Sequence, residues 1–171
     1  FPLLKSRNSG VVLAVVKLFF YCGFHDHKRN AQIAKALIRI MRNLREIQYV
    51  VLSTIDTMTQ SFHSSCACIF EPYLSDFFMA SSFEASFNRS LKIKILSRLA
   101  TPENIHIVMA ELETYAQSGN ETIVLDVVKS LQFLSSTVMM QNSDNNRRYD
   151  NTYHNDIRYK CMQGLYAILH T

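Results

Sequence analysis

The sequence predicts an all-α fold in which about four antiparallel helix pairs stack into an α-α superhelix, or solenoid. Apolar residues recur at helical spacing, and no segment alternates convincingly at the period of a β-strand. The stretch SRNSGVVL at 6–13 also returns as REIQYVVL at 45–52, so that Leu52 follows Leu13 by 39 residues. A looser pair ends at Leu99 and Leu131, 32 residues apart. Such periods are typical of HEAT and armadillo repeats, although a compact helical bundle would give the same local signals.

Start and stop signals bound several of the eight expected helices. Asn8, Asn43 and Asn120 can cap the first, third and seventh helices, because a side-chain oxygen there accepts a hydrogen bond from a free backbone N–H. The triplet Thr-Pro-Glu at 101–103 is a start signal for the sixth helix, and Gly119 is its stop signal. The expected spans are about 9–22, 28–41, 44–60, 71–78, 85–99, 102–118, 121–140 and 156–170.

These spans divide the chain into three regions. Residues 1–140 are expected to form the helical repeats, 141–155 a polar loop insertion rich in Asn, Asp and Arg, and 156–171 the final helix. Residues 61–69 have the character of a loop as well. Because the chain begins at Phe1 and not at Met, we interpret it as a piece of a longer protein.

Composition and charge exclude several classes of protein. Hydrophobic residues make up 48% of the 171 residues and charged residues 19%, which is typical of a folded chain. A net charge of +4 is too mild to indicate a nucleic-acid partner, and we expect none. The longest apolar run, 11–20, is interrupted by Lys17 and is too short to span a bilayer.

No residue pattern predicts catalysis or a cofactor. A Gly-x-Ser-x-Gly turn and a glycine-rich phosphate loop are both absent from the sequence. Glu111 and Glu113 are two residues apart, so they point in different directions on a helix. Tyr49 lies inside an aliphatic run, and we expect it to be buried.

A zinc site is the one metal hypothesis that the sequence raises. Its possible ligands are His25, Asp26, His27, His63, Cys66 and Cys68. A structural zinc needs four ligands, usually in two spaced pairs, and here the second cysteine pair is absent. We therefore expect no metal, and cysteines that stay reduced.

A row of basic residues on the second helix is the best candidate for binding. Its members are Lys28, Lys35, Arg39 and Arg42, with Arg45 just beyond. The spacing places them on one helix face, which could contact an acidic partner or anionic lipid headgroups. A solvated helix face gives the same pattern, and a field of this kind needs a partner to matter.

Several stretches resemble the trunk of the adaptin β subunits, the large chains of clathrin-type adaptor complexes. They are SRNSGVVLA at 6–14, REIQYVVL at 45–52, and Asn104-Ile105 ahead of MAEL at 109–112. The resemblance runs in order from Leu3 to about Leu134 and resumes at CMQGL, 161–165. FEPYL at 70–74 and IRIMRNLREIQY at 38–49 look most like the β subunit of adaptor complex three.

The resemblance implies a helical solenoid with no enzyme activity, in a heterotetramer with a second large chain, a medium μ chain and a small σ chain. It also implies sorting of membrane cargo from Golgi or endosomes towards lysosomes or vacuoles, with the complex peripheral on the cytosolic face of those membranes and of coated vesicles. Clathrin contacts would come from regions absent here. The stretches 61–69 and 141–155 depart from the family pattern, and no binding motif for cargo can be carried over.

Two alternatives stay open at this point. One is a β adaptin of another class, or the related large subunit of Golgi coatomer. The other is a generic HEAT-repeat scaffold of unrelated function.

Overall fold

The regular structure of the protein is helical throughout the described residues, which confirms the all-α prediction. The computed structural model describes residues 2–22, 27–43, 45–61, 67–79, 84–101 and 103–144, together with Tyr159, Met162, Gln163 and Tyr166. The α-helices are α1 (Ser9–Tyr21), α2 (His27–Asn43), α3 (Gln48–Ser61), α4 (Ala67–Phe70), α5 (Ser86–Leu99), α6 (Ile105–Ala116) and α7 (Glu121–Asp144). Three 3₁₀ helices span Pro2–Lys5, Arg45–Ile47 and Glu71–Phe77. The chain forms two compact units, 1–95 and 96–171.

Helix α2 is the centre of the first unit. It packs against α1, α3 and α4 and against all three 3₁₀ helices. One side of α2 is apolar over its whole length and buried, as the helical spacing predicts. The buried residues of α2 are Ile33, Ala34, Ala36, Leu37, Ile38, Ile40 and Met41.

The sequence repeat at 6–13 and 45–52 corresponds to equivalent buried positions in α1 and α3. Val12 and Val51 have no exposed surface, and the same holds for Val16 and Ile55 one turn later. Both helices pack on α2. The repeated apolar segments therefore serve as packing surfaces, because burial of aliphatic side chains is the main favourable term in folding.

The start of α1 is capped as predicted, whereas the start of α3 is not. Asn8 Oδ1 accepts hydrogen bonds from the backbone N–H groups of Gly10 (2.9 Å) and Val11 (3.4 Å). Asn43 is the last residue of α2, so its predicted role as the cap of the third helix was wrong. The 3₁₀ turn Arg45–Ile47 comes first, and α3 begins only at Gln48.

The connection after α3 is more ordered than a loop. Ala67–Phe70 forms α4, so the predicted loop over 61–69 was wrong at its end, while 62–66 lie outside the described residues. The expected short helix over 71–78 is a 3₁₀ helix, Glu71–Phe77, bent at Tyr73 (φ −111°, ψ 20°). Phe70 and Phe77 are fully buried and meet edge to face, with ring centroids 6.4 Å apart. Aromatic burial here holds two short helices that hydrogen bonding alone would not stabilise.

In the second unit, the turn before α6 is closed by Asn104. Its Nδ2 donates to the carbonyl of Leu99 (3.0 Å), and its Oδ1 accepts from the N–H of Thr101 (2.8 Å). The expected start at Thr101 is thus replaced by a turn, and α6 begins at Ile105. The Thr101 carbonyl nevertheless accepts the N–H of Ile105 at 2.9 Å, so the first helical bond does begin at that residue.

The turn between α6 and α7 follows the sequence signals. Gly119 has φ 68°, a left-handed conformation that favours glycine. Asn120 Oδ1 accepts from the N–H of Thr122 at 3.1 Å and caps α7. The two helices pack against each other through buried apolar side chains. These are Ile105, Val108, Met109, Leu112 and Tyr115 on α6, and Ile123, Val127, Leu131 and Leu134 on α7.

Helix α7 is longer than its apolar pattern indicates. It continues to Asp144, so the start of the predicted insertion over 141–155 is helical, while 145–155 lie outside the described residues. Tyr159, Met162, Gln163 and Tyr166 are helical, which agrees with a final helix over 156–170. The division into three regions stays a prediction.

Candidate functional site

The structure places the predicted basic face on α2 but gives its members different surroundings. Lys28 and Lys35 are exposed, Arg39 is half-buried, and Arg42 is exposed at the end of the helix. Arg45 lies in the following 3₁₀ helix, and its side chain falls outside the described part of the structure. Lys28, Lys35, Arg39 and Arg42 do share one helix, as their spacing predicts.

Arg39 is occupied by the chain that precedes α1. Its Nη2 donates to the carbonyl oxygens of Leu4 (2.9 Å) and Ser6 (3.1 Å), 35 and 33 residues away in sequence. These carbonyls lie at the end of the first 3₁₀ helix and just after it. Arg39 therefore fastens this segment to α2, because hydrogen bonds from a charged donor are stronger than neutral ones.

Arg42 is held by a carboxylate of the third 3₁₀ helix. Its Nε and Nη2 donate to Asp76 Oδ1 (2.6 Å) and Oδ2 (2.7 Å), a two-pronged geometry that suits a guanidinium group. Hydrogen bonding to Asp76, and then its negative charge, raise the pKa of Arg42 above its ordinary value. The positive charge of Arg42 is thus matched within the fold.

The charge available to a partner on this face is therefore smaller than the sequence suggests. Lys28 and Lys35 lie on exposed parts of α2, while Arg39 and Arg42 each bind a segment of the same chain. Lysine ammonium groups are mobile point charges that suit carboxylates or phosphates without fixed geometry. The face as a binding site stays a prediction.

Sequence reasoning missed a buried ion pair in the first unit. Lys92 Nζ lies 2.7 Å from Glu84 Oε1, and their side chains are only 5% and 11% exposed. The same Nζ donates to the carbonyl of Phe78 at 3.2 Å. A lysine on an amphipathic helix is ordinarily predicted to be exposed, because lysines are rarely buried unless they are paired. Only the pairing with Glu84 could have indicated that Lys92 is buried.

The pair lies among other buried polar groups. Asn88 Nδ2 donates to Gln48 Oε1 at 3.2 Å, which joins α5 to α3. Glu84 Oε2, Asn88 Oδ1 and Arg89 Nε are buried and find no hydrogen-bond partner within the structure. Buried polar atoms in this condition cost free energy of folding.

The described residues carry neither a metal-site grouping nor a membrane-spanning helix. No three His, Cys, Asp or Glu side chains among them come together as ligands would. The possible zinc ligands lie outside the described side chains, so that hypothesis stays untested. In the described helices, none combines the length and apolar character needed to cross a bilayer.

Comparison with known proteins identifies the family. The chain matches the family described as "Adaptin N terminal region" over residues 1–152. It is 35% identical to the AP-3 complex subunit beta of Dictyostelium discoideum over 168 residues, which cover 98% of this chain and 13% of that protein. Identity is 32% to the human AP-3 complex subunit beta-1, with the same coverages.

A plant relative extends the comparison. The AP3-complex subunit beta-A of Arabidopsis thaliana is 30% identical over 169 residues, 98% of this chain and 15% of the relative. The chain thus spans about an eighth of the length of its first relatives. A helical fold and a family match that covers most of the chain lead to one conclusion: the chain belongs to the adaptin N-terminal-region family.

Proposed function

We propose that this chain is part of the helical trunk of the β subunit of adaptor complex three, and that it acts in assembly and not in catalysis. The observation that carries the proposal is the similarity to AP-3 β subunits from an amoeba, a mammal and a plant along 98% of the chain. Stacked helices suit this role, since they offer long surfaces to partner chains.

The proposal extends to the partners and the place of the whole protein. Its partners would be a second large chain, a medium μ chain and a small σ chain, with no nucleic acid. Contacts with clathrin, where they occur, would come from regions outside this chain. The complex would attach peripherally to the cytosolic face of Golgi, endosome and coated-vesicle membranes, and would sort cargo towards lysosomes or vacuoles.

The test is purification of the intact protein from its own cells through an affinity tag, followed by mass spectrometry of the proteins that accompany it. We expect a second large chain, a μ chain and a σ chain of complex three in near-equal amounts. Recovery of coatomer subunits, or of adaptor chains of another class, would assign the protein to that assembly and overturn the proposal.

The basic face belongs to the proposal as a separate contact. We propose that Lys28 and Lys35 meet an acidic partner or anionic headgroups, while Arg39 and Arg42 hold the fold in place. Arg45, next along the chain, is part of the proposed face by its sequence position. A charged contact of this kind changes association rate and salt dependence more than final affinity.

Lysine reversals test this contact without disturbing the arginine tethers. The double variant Lys28→Glu with Lys35→Glu in the intact protein should reduce the fraction of protein that sediments with phosphatidylserine vesicles. Alternatively, it should reduce the amount of acidic partner chains recovered with the protein. The control for a change of net charge is Lys129→Glu, since Lys129 is an exposed lysine on α7. If the control reduces binding as much as the reversals do, the effect is one of net charge and the face has no specific role.

A further inference from the structure

A groove between α1 and α3 is the second surface that could receive a partner. It has a volume of about 220 Å³, and the described residues that line it belong to these two helices. Lys17, Phe20 and Tyr21 come from α1, and Tyr49, Val50 and Met58 are among the residues from α3. Both helices pack on α2, and no described side chain of α2 lines the groove. Sites for drug-sized ligands usually measure roughly 300–1,000 Å³, so this groove suits one or two side chains better than a free cofactor.

The rim of the groove is unusually aromatic for an exposed surface. Tyr21 is 77% exposed and Tyr49 48% exposed, so the expectation that Tyr49 is buried was wrong. Each is held by an edge-to-face contact, Tyr21 with Phe20 (5.3 Å) and Tyr49 with Phe87 of α5 (5.2 Å). Aromatic side chains fixed in this way lose little freedom on binding, and they are enriched where interfaces gain most of their affinity.

The polar groups of the groove select the charge of its occupant. Among the described residues, the lining includes one cation, Lys17, and no carboxylate. Lys17 is exposed, and it has no ion pair with any described residue. The hydroxyls of Thr54 and Thr57 already donate to the carbonyls of Val50 (2.8 Å) and Ser53 (2.9 Å) in their own helix. The surface therefore offers a positive charge beside apolar and aromatic walls, and it is complementary to a carboxylate next to a large apolar side chain.

We propose that this groove binds a short helical segment of another protein that presents an acidic side chain one turn away from a bulky apolar one. The apolar side chain sits between Phe20, Val50 and Met58, and the carboxylate pairs with Lys17. A helix suits the site because two neighbouring helices form a trough that a third can enter, with anchors at a spacing of three or four residues. The proposal does not depend on the class of adaptor to which the chain belongs.

The test uses the intact protein, purified with the subunits that accompany it, and a fluorescent helical peptide with Leu and Phe on one face and Glu one turn away. Fluorescence anisotropy should show saturable binding. Lys17→Glu should weaken it by roughly tenfold or more, because a favourable charge pair becomes a repulsive one. A peptide with Lys in place of its Glu should recover binding to the Lys17→Glu protein and lose it with the native protein.

Matched variants separate a specific site from a general effect. Lys129→Glu makes the same change of charge at an exposed residue outside the groove and should leave binding unchanged. Tyr49→Ser should weaken binding, whereas Tyr159→Ser, also at an exposed tyrosine, should not. Hydrogen exchange in α1 and α3 checks that the variants keep their fold. The proposal would be overturned by the absence of saturable binding at about millimolar peptide, or by equal losses of binding in Lys17→Glu and Lys129→Glu. It would also be overturned if Lys17→Glu lost self-association or vesicle binding while peptide binding stayed intact.

Discussion

Two ion pairs in the first unit have nearly the same N–O distance and differ in how exposed the cation is. Lys92 and Glu84 are 2.7 Å apart with side chains 5% and 11% exposed, whereas Arg42 and Asp76 are 2.6 Å apart with side chains 58% and 13% exposed. Distance alone would rank them as equals. The exposure of the cation separates them, because water that reaches Arg42 weakens its attraction to Asp76, whereas Lys92 and Glu84 attract each other in the interior.

Arg39 lies between these extremes. It is half-buried, and its partners are the backbone carbonyls of Leu4 and Ser6, not a carboxylate. The three cations therefore form a graded series: a buried lysine, a half-buried arginine and an exposed arginine. If burial governs their contributions, then the losses on mutation should follow that order.

The largest loss should come from Lys92→Met. Methionine keeps the length and apolar stem of lysine, but it leaves the Glu84 carboxylate buried without a partner. We expect the free energy of opening α5 to fall by about 3–5 kcal/mol. Hydrogen exchange of the intact protein, followed in peptides from 86–95, measures it.

A double variant isolates the cause of that loss. Lys92→Met with Glu84→Leu removes both charges and should recover most of the protection, since an apolar pair of similar volume is often as stable as a buried ion pair. Equal losses in the single and double variants would show that packing around Lys92 matters and its charge does not.

A smaller loss is expected from Glu84→Gln. The amide oxygen can still accept from Lys92, and the ammonium group keeps the carbonyl of Phe78 at 3.2 Å. We expect the free energy of opening α5 to fall by about 1–3 kcal/mol, the usual range for weakening a buried hydrogen bond to a charged group. The same exchange measurement applies, and a loss larger than that of Lys92→Met would contradict the proposed asymmetry.

Arg39→Gln comes next. The variant loses the bonds to Leu4 and Ser6, so the segment before α1 should exchange faster while α3 and α5 are unaffected. The expected cost is about 1–2 kcal/mol, reduced from the value for a buried charged donor because the side chain is partly in water. Arg39→Lys is the control: it keeps the charge without the guanidinium fork, and if it behaved as native, then charge and not geometry would hold the segment.

The series also shows which features were readable from the sequence. Helix existence and several ends followed from local signals: Asn8 and Asn120 cap their helices, and Gly119 adopts the left-handed turn. These succeeded because a cap or a glycine acts on backbone groups within a few residues of itself. The helical spacing likewise placed Lys28 to Arg42 on one helix.

What the sequence could not show depended on partners far along the chain. The acceptors of Arg39 and Arg42 lie 33 to 35 residues away, so spacing on α2 alone could not reveal that both are occupied. The prediction that Tyr49 is buried was wrong for a related reason. Its helix is apolar on several sides, and only packing on α2 decides which of those sides meets solvent.

The smallest effect is expected at the exposed pair, and here the two partners should differ. Asp76 is the more buried of the two, so Arg42→Gln leaves a carboxylate with little water around it, whereas Asp76→Asn leaves a guanidinium group that solvent can reach. Arg42→Gln should therefore lower the melting temperature of the protein more than Asp76→Asn, and both less than Arg39→Gln. Because exposed charges are screened by salt, the difference in melting temperature between Arg42→Gln and the native protein should be smaller at high ionic strength than at low ionic strength. A salt-independent loss as large as that of Lys92→Met would mean that the two-pronged geometry at Asp76, and not burial, decides the rank of these cations.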